Sequence, residues 1–305
     1  MLAKLFHQLF GRAALAERRF DEDAFEAAMR SRTEHREAAG WTFEAFRFAS
    51  QRLKFDVPLP HLETLCLSTW NGDYWPNPLH LHYATRRGRT RVVGSACRDD
   101  RVVMEVWRGL ADSRVEPQLA DHVWGFRRGR SCSGAVAALC AGPVEPGMAL
   151  VATDIQNMFP SLVHEKVHSS VAVMLGSDRL GQVSRMLVDR WLQAWTSGQG
   201  VPMGVSVAPL LANMYMATEV DRWLDGEVRA GRVRRAIRYA DDMVVVTHEP
   251  DAYLAGLALT AQRSGLELNP AKTRIIRAGD SWPVRVLGYE VALGRGGLFH
   301  KKVLT

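Results

Sequence analysis

Hydrophobic and polar positions follow two periods along the chain, and the switches between them predict interleaved helices and strands. Helical spacing of apolar residues runs from residue 1 to about 55 and is interrupted by Pro58 and Pro60. Further helices are predicted over residues 99–120, 134–141, 164–197, 207–224 and 251–265. Strands are predicted at 149–155, on both sides of a tight acidic turn within 234–247, and near 269–276 and 284–291. Residues 61–83 are predicted to be an aromatic and proline-rich connector, and the whole pattern predicts an α+β fold.

Composition narrows the class of protein. Of the 305 residues, 47% are hydrophobic and 24% are charged, which is typical of a folded globular protein and excludes a disordered chain, a fibre or a coiled coil. No apolar stretch approaches the length of a membrane span. The four cysteines form no CxxC pair, which indicates a reducing compartment and predicts a cytoplasmic location.

Positive charge is concentrated in one segment. The net charge is +6, and residues 86–130 alone contain 11 arginines against 6 acidic residues. This segment includes a predicted basic hairpin at 86–93 and a glycine-punctuated basic loop at 125–131. Such a surface is expected to meet phosphates, although a merely solvated charged face is an equal alternative.

Two adjacent carboxylates give the strongest local signal for chemistry. Asp241 and Asp242 form a turn between apolar strand segments, in the sequence Arg-Tyr-Ala-Asp-Asp-Met-Val-Val-Val. Like charges side by side are costly unless a partner compensates them, and magnesium prefers hard carboxylate oxygens. An ordinary surface turn is the alternative, but the flanking segments are too apolar for a simple exposed loop.

A third carboxylate, Asp154, ends the apolar strand predicted at 149–155. If this strand lies beside the acidic hairpin, three carboxylates converge, which is enough to hold two magnesium ions a few ångströms apart. Such a pair of ions activates a 3′-hydroxyl and stabilises the leaving pyrophosphate in phosphoryl transfer. Asp154 as a helix N-cap is the alternative.

Seven segments in order resemble the blocks of the reverse transcriptase family, specifically the bacterial lineage related to group II intron-encoded enzymes. The resemblance covers roughly residues 84–290. Its segments are 89–93 with 100–103, 125–131, 154–159, 199–204 with 208–213, Tyr-Ala-Asp-Asp at 239–242, 265–273 and 287–289. Ala208 departs from the serine usual before the proline of the fourth segment.

The resemblance implies a right-hand polymerase fold with fingers and palm, the antiparallel palm sheet packed on helices. The expected domains are a helical N-terminal extension at 1–60, fingers at 61–148, a palm at 149–290 and a short tail at 291–305. A helical insertion is expected at about 164–197. The chain ends 16 residues after Tyr289, so the thumb is expected to be minimal or absent.

The resemblance also implies site residues. Asp154, Asp241 and Asp242 would be the catalytic metal ligands, with the backbone carbonyl of Ile155 completing one site. Phe159 would exclude a ribose 2′-hydroxyl and so favour deoxynucleotides, a plain core phenylalanine being the alternative. The other expected nucleotide contacts are Gln199, Gly200, Lys272 and one of Arg89 and Arg91. The expected nucleic-acid contacts are Arg127, Arg128, Arg130, Pro202, Gly204, Leu287, Gly288 and Tyr289.

Gly200 and Gly204 are expected to allow close approach of the loop backbone to nucleic acid. The arginines that precede the acidic turn, Arg238 among them, are expected either to line the duplex product or to cap a solvated hairpin.

The implied function is an RNA-directed DNA polymerase that adds dNTPs to a primer 3′-hydroxyl with two Mg²⁺ ions, which Mn²⁺ can replace. Its expected partners are an RNA template, a DNA or RNA primer and a protein or RNA that replaces the thumb, without a membrane. The biological system is left open between CRISPR spacer acquisition, phage defence, a diversity-generating element and an intron relic. A non-catalytic RNA-binding protein and an RNA-dependent RNA polymerase are the alternatives, and Phe159 disfavours the second.

Overall fold

The computed structural model describes residues 22–86, 88–196, 198–278, 280, 283–294 and 297–302. The chain divides into two compact units, the first ending at Thr42 and the second beginning at Phe43. In the first unit, helix α1 spans Glu22–Ala38. The part of the predicted N-terminal helical extension that precedes residue 22 lies outside the described residues.

The second unit begins with two helices, α2 (Phe43–Arg52) and α3 (Leu59–Asn71). The connector predicted at 61–83 is therefore wrong over its first half. Pro60 occupies the first turn of α3, where the missing N–H costs nothing, so the prolines that end one helical pattern also start the next helix. The buried side chains of α3 recur at helical spacing: Leu62, Leu65, Cys66, Thr69 and Trp70.

A basic hairpin and two further helices follow. Strands β1 (His80–Arg86) and β2 (Arg89–Ser95) pair antiparallel, so the basic hairpin predicted at 86–93 is present but longer, and it includes residues 80–83 of the predicted connector. Helix α4 (Arg98–Val115) leads through a short 3₁₀ turn into the basic loop. Helix α5 (Cys132–Cys140) then begins at Ser131, whose hydroxyl accepts the Gly134 N–H at 3.0 Å.

A four-stranded antiparallel sheet forms the centre of the second unit. Its strands are β3 (Ala149–Asp154), β4 (Val233–Tyr239), β5 (Asp242–Thr247) and β6 (Arg274–Arg277), in the order β4-β5-β3-β6. Every residue of β3 is buried, as expected of a continuous apolar run in a central strand. The predicted α+β class with an antiparallel sheet is confirmed.

Helices connect these strands. They are α6 (Met158–Ser161), α7 (His164–Leu175), α8 (Arg179–Trp195), α9 (Ala208–Met216), α10 (Arg222–Arg229) and α11 (Pro250–Arg263). A π-helical turn, Ala217–Asp221, joins α9 to α10. The single helix predicted at 164–197 is two helices, because Gly176 adopts φ 78° and Asp178 caps a new helix by accepting the Gly181 N–H at 2.9 Å.

The last described residues form a three-stranded antiparallel sheet of β7 (Val284–Val286), β8 (Tyr289–Gly294) and β9 (Gly297–Lys302). The residues predicted as a short tail, 291–305, thus contain most of β8 and all of β9. Val291 and Leu298 share a buried apolar cluster with Leu139 of α5 and Val244 of β5, so this sheet packs against the central one.

Two sequence expectations concern the environment of the protein. All four cysteines, Cys66, Cys97, Cys132 and Cys140, are free thiols. Within the described ranges, no helix combines the length and apolarity required to cross a membrane.

Candidate active site

Three carboxylates meet where the two central strands end. Asp154 of β3 lies directly opposite Asp242 of β5 in the ladder, and the Ile155 N–H donates to the Asp241 carbonyl at 3.0 Å. Asp154 is only 2% exposed. The structure thus brings together the three acidic residues that the sequence analysis selected.

Crowding of these groups is visible in their acidity. Burial, followed by repulsion from Asp154, raises the pKa of Asp241 above its ordinary value. Burial, followed by repulsion from Asp241 and Asp154, raises the pKa of Asp242 to about 6. The ammonium group of Lys272 opposes both shifts but does not cancel them. The turn is therefore short of positive charge.

Asp154 has two internal partners. Lys272 donates from Nζ to one carboxylate oxygen at 2.5 Å, and Asn269 donates from Nδ2 to the other at 3.1 Å. The Asn269 backbone N–H also donates to the Asp154 carbonyl at 2.8 Å. The sequence analysis expected Lys272 near the site but missed Asn269, although an amide three residues before that lysine was the available signal.

The carboxylate oxygens at this site suit a divalent cation that is held jointly by the protein and by a bound substrate. Among the described residues, no group of three or more His, Cys, Asp or Glu side chains is arranged so that it could hold a metal ion by itself. Magnesium is commonly held by one or two carboxylates together with substrate phosphates and water, rather than by an all-protein cage. Adjacent hard oxygens from Asp154 and Asp241, with excess negative charge, match that mode of binding.

Arg238 anchors the acidic turn from beneath. Its side chain is fully buried and donates to both Asp221 carboxylate oxygens, at 2.8 and 2.7 Å. It also donates to the Asn213 side-chain oxygen and to the Ala240 carbonyl, each at 3.2 Å. The expectation that Arg238 lines a duplex or caps a solvated hairpin is therefore wrong, because every part of this side chain faces the protein interior.

Asp221 is held ionised by that contact. Burial raises its pKa, but the charge of Arg238 and the contacts with Arg238 and His122 outweigh burial and hold the pKa at about 2. The Ala240 backbone adopts φ 57°, which is unfavourable for a residue with a side chain, so the Arg238 contact at its carbonyl fixes a strained turn.

The glycine that opens the basic loop also lies beneath the turn. A Cβ atom on Gly125 would come within 2.3 Å of the Ala240 nitrogen. The Gly125 carbonyl accepts from Asn213 Nδ2 at 3.0 Å, and the Trp124 N–H donates to the Arg238 carbonyl at 2.7 Å. Gly125, Asn213, Asp221 and Arg238 are thus supporting residues that sequence reasoning did not assign to the site.

The three loop arginines have different surroundings. Arg127 is used internally, because it donates to Glu116 Oε1 and to the Ala120 carbonyl, each at 2.8 Å. Arg130 lies over the Trp124 ring at 4.8 Å and donates to the Val123 carbonyl at 3.1 Å. Arg128 is exposed over 74% of its side chain. Arg128 is therefore the most accessible of the three, and the expected template contacts of all three arginines stay predictions.

Phe159 lies beside the predicted nucleotide loop. The Val201 N–H donates to the Phe159 carbonyl at 2.9 Å, and the Gly200 N–H donates to the Leu162 carbonyl at 2.8 Å. Gly200 adopts φ 91°, and a Cβ there would lie 3.1 Å from the Pro160 carbonyl oxygen. The structure joins these segments directly and leaves Gln199 exposed, while their roles at a nucleotide stay predictions.

Gly204 and Pro202 lie against strand β2. A Cβ on Gly204 would meet Val93 Cγ1 at 2.3 Å and the Gly94 carbonyl oxygen at 2.6 Å. The Met203 carbonyl accepts the Gly94 N–H at 2.8 Å. Packing on the hairpin accounts for glycine at 204, and the Pro160 backbone accounts for glycine at 200, while the expected approach of this loop to nucleic acid stays a prediction.

The remaining predicted contacts lie on the two hairpins. Arg91 is an exposed residue of β2, and Arg89 lies on the same strand but its side chain is outside the described part of the structure. Leu287 and Gly288 form the turn between β7 and β8 with φ values of 50° and 84°, the geometry of a two-residue hairpin turn. Tyr289 follows this turn, its ring 5.8 Å from that of His300. Their nucleotide and primer roles stay predictions.

Known proteins resemble this chain over a large part of its length. Residues 82–291 match the model of the family described as reverse transcriptase (RNA-dependent DNA polymerase). The group II intron-encoded protein LtrA of Lactococcus lactis subsp. cremoris is 21% identical over 305 aligned positions, which cover 77% of this chain. The alignment covers 50% of LtrA, so the chain spans about half the length of this relative. An uncharacterized 91 kDa protein in the cob intron of Schizosaccharomyces pombe is 27% identical over 127 residues, which cover 38% of this chain and 15% of that protein.

Solved structures share the fold. An apo telomerase from Candida tropicalis, truncated from the C-terminal domain, superposes with a TM-score of 0.56 and 13% identity over 74% of this chain and 55% of that one. A telomerase from Candida albicans in complex with the TWJ fragment of telomeric RNA gives a TM-score of 0.53 and 10% identity, over 77% and 48% of the two chains. This likeness confirms the predicted polymerase fold.

Proposed function

Because the chain belongs to the reverse transcriptase family, we propose that it is an RNA-directed DNA polymerase that extends a primer 3′-hydroxyl with dNTPs on an RNA template. The observation that carries the proposal is the meeting of Asp154, Asp241 and Asp242 at the end of two central strands. Structural carboxylates are normally separated or paired with cations. Here, within the described part of the chain, Lys272 is the cation that lowers the pKa values of Asp241 and Asp242, and it does not cancel the increase.

In this proposal, Asp154 and Asp241 hold two Mg²⁺ ions, with Asp242 and the Ile155 carbonyl completing the sites and Mn²⁺ able to substitute. When bound, the ions activate the 3′-hydroxyl and stabilise the leaving pyrophosphate. The chain's own residues fix the carboxylates: Asn269 orients Asp154, and Arg238 holds the carbonyl of Ala240 at the turn. Lys272, whose side chain is 41% exposed, is proposed to donate to a triphosphate.

Sugar selection is assigned to Phe159, which favours DNA over RNA synthesis and disfavours the RNA-dependent RNA polymerase alternative. The proposed partners are an RNA template, a DNA or RNA primer and a protein or RNA in the place of a thumb. A mobile-element, CRISPR or phage-defence system is proposed as the biological setting, and the likeness to LtrA supports the intron-related lineage.

Primer extension on an RNA template tests the function. The purified chain is expected to extend a labelled primer with dNTPs and Mg²⁺, and Asp241→Asn is expected to lose at least about 100-fold in rate, since a metal ligand is removed. Asp251→Asn is the matched control, because Asp251 is an exposed residue at the start of α11. Circular dichroism checks that both variants fold. Full activity in Asp241→Asn would refute the assignment.

A further inference from the structure

A second aromatic ring lies against Phe159. The ring centroids of Phe126 and Phe159 are 6.3 Å apart and their planes are inclined by 60°. Aromatic pairs attract each other at this separation in tilted geometry. Phe126 is 45% exposed, so it meets Phe159 at the protein surface rather than inside the core.

The backbone of Phe126 is held in an unfavourable conformation. Its φ of 61° lies in the left-handed region, which bulky residues rarely adopt. Such a conformation persists only where the surrounding structure determines it, and it is typical of functional sites. Here the preceding Gly125 carbonyl accepts from Asn213, and the Gly125 N–H donates to the Arg238 carbonyl at 3.3 Å. The contacts that hold the acidic turn therefore also hold the backbone that precedes Phe126.

Phe159 itself has limited support. It lies on α6, a helix of four residues, and its side chain is half-buried. A phenyl ring can move between staggered rotamers unless a neighbour blocks the alternatives. A ring that excludes a 2′-hydroxyl by steric collision must keep its position. A neighbouring ring that restricts its rotamers therefore contributes to the exclusion.

We propose that Phe126 is a positioning residue for sugar selection, whose ring holds the Phe159 ring where it collides with a ribose 2′-hydroxyl. The inference rests on the proposed function and deepens it, because it adds a specificity-determining residue in the basic loop. Phe126 acts through Phe159 and need not contact the nucleotide.

Two substitutions separate the ring from the backbone. Phe126→Tyr keeps the ring, whereas Phe126→Asn removes it and suits the left-handed backbone. The ratio of kcat/KM for dNTPs to that for rNTPs is measured on one RNA template and primer. We expect Phe126→Asn to lower this ratio about 2- to 10-fold, the size of an aromatic pair contact, mainly through a better rNTP reaction. Phe126→Tyr is expected to keep it. If Phe126→Asn does not fold, Phe126→Leu replaces it.

A second background tests whether the effect passes through Phe159. In Phe159→Ala, the added Phe126→Asn is expected to change the ratio no further, since coupled residues are not additive. Phe299→Ala, at an exposed phenylalanine of β9, is the matched control. The inference is overturned if the chain synthesises DNA but the ratio is unchanged in Phe126→Asn. It is also overturned if Phe126→Asn lowers the ratio equally in the presence of Phe159 and in Phe159→Ala. Absence of DNA synthesis by the unsubstituted chain instead overturns the proposed function, and the inference with it.

Discussion

At the scale of single residues, the acidic turn depends on the absence of a side chain at Gly125 as well as on the charges of Asp241 and Asp242. Gly125 leaves room for the Ala240 nitrogen, which would lie 2.3 Å from any Cβ at that position. The collision is with backbone, so no flexible side chain can move aside. The carboxylates of Asp241 and Asp242 follow directly after this contact and would shift with it.

Gly125→Ala is therefore expected to lower primer-extension activity by at least tenfold, because small displacements at a catalytic centre are costly. Overpacking is expected to reduce the free energy of unfolding by about 1–3 kcal/mol. Gly109→Ala is the matched control, since a Cβ at Gly109 of α4 meets nothing within 4 Å. That change is expected to keep activity and to stabilise the helix slightly. Full activity in Gly125→Ala, measured by steady-state kinetics, would contradict the packing argument.

At the scale of elements, the π-helical turn Ala217–Asp221 and strand β4 are joined by one buried ion pair. The extra residue of a π-turn alters the direction of side chains that follow it. Here the turn ends at Asp221, which reaches Arg238 on β4 from 17 positions earlier in the chain. His122 approaches the same carboxylate at 3.4 Å. Removing one member of such a network leaves the other charge buried without a partner.

Asp221→Asn is expected to lower the free energy of unfolding at neutral pH by about 3–5 kcal/mol. Because the folded pKa of Asp221 is about 2, below its ordinary value of 3.8, the ionic contribution is full above pH 4 and is lost as the pH falls towards 2. The stability difference between the two proteins should shrink over that interval by about 2 kcal/mol. Urea unfolding followed by tryptophan fluorescence at several pH values measures it. A difference independent of pH would show that the pair is not ionised as described.

At the scale of the whole molecule, the candidate carboxylates could be predicted from the sequence, whereas most of the contacts that support them could not. Asp154, Asp241 and Asp242 were identifiable because charged groups that end apolar strands need a reason to be there. Helix α3 is not predicted by the local pattern, because a proline such as Pro60 can either end a helix or occupy its first turn. The contacts of Gly125 with Ala240 and of Asp221 with Arg238 join distant segments, and no local period encodes them. Strand β9 shows no strong alternation of apolar and polar residues, and it depends on β8 for its pairing.

The charge distribution gives a whole-molecule prediction about nucleic-acid binding. Much of the arginine excess at 86–130 is used internally, since Arg127 contacts Glu116 and Arg130 contacts Trp124 and nearby carbonyls. The proposed contact with nucleic acid is therefore expected to involve fewer phosphates than the count of arginines suggests. Arg128 and Arg91 are exposed. The Arg128 guanidinium lies 3.6 Å from the Asp112 carboxylate, a long ion pair that leaves most of the side chain accessible.

Arg128→Ala is accordingly expected to weaken binding of a primer–template duplex similarly for all sequences. It should reduce the slope of log K against log salt by about 1, the value for one lost phosphate contact. Arg127→Ala should instead lower thermal stability, because it leaves the Glu116 carboxylate and buried carbonyls without their donor. Fluorescence anisotropy over a range of salt concentrations measures the slope. The prediction fails if the slope is unchanged in Arg128→Ala, or if the slope changes equally in both folded variants. Either result would mean that burial does not determine which of the two arginines contacts phosphate.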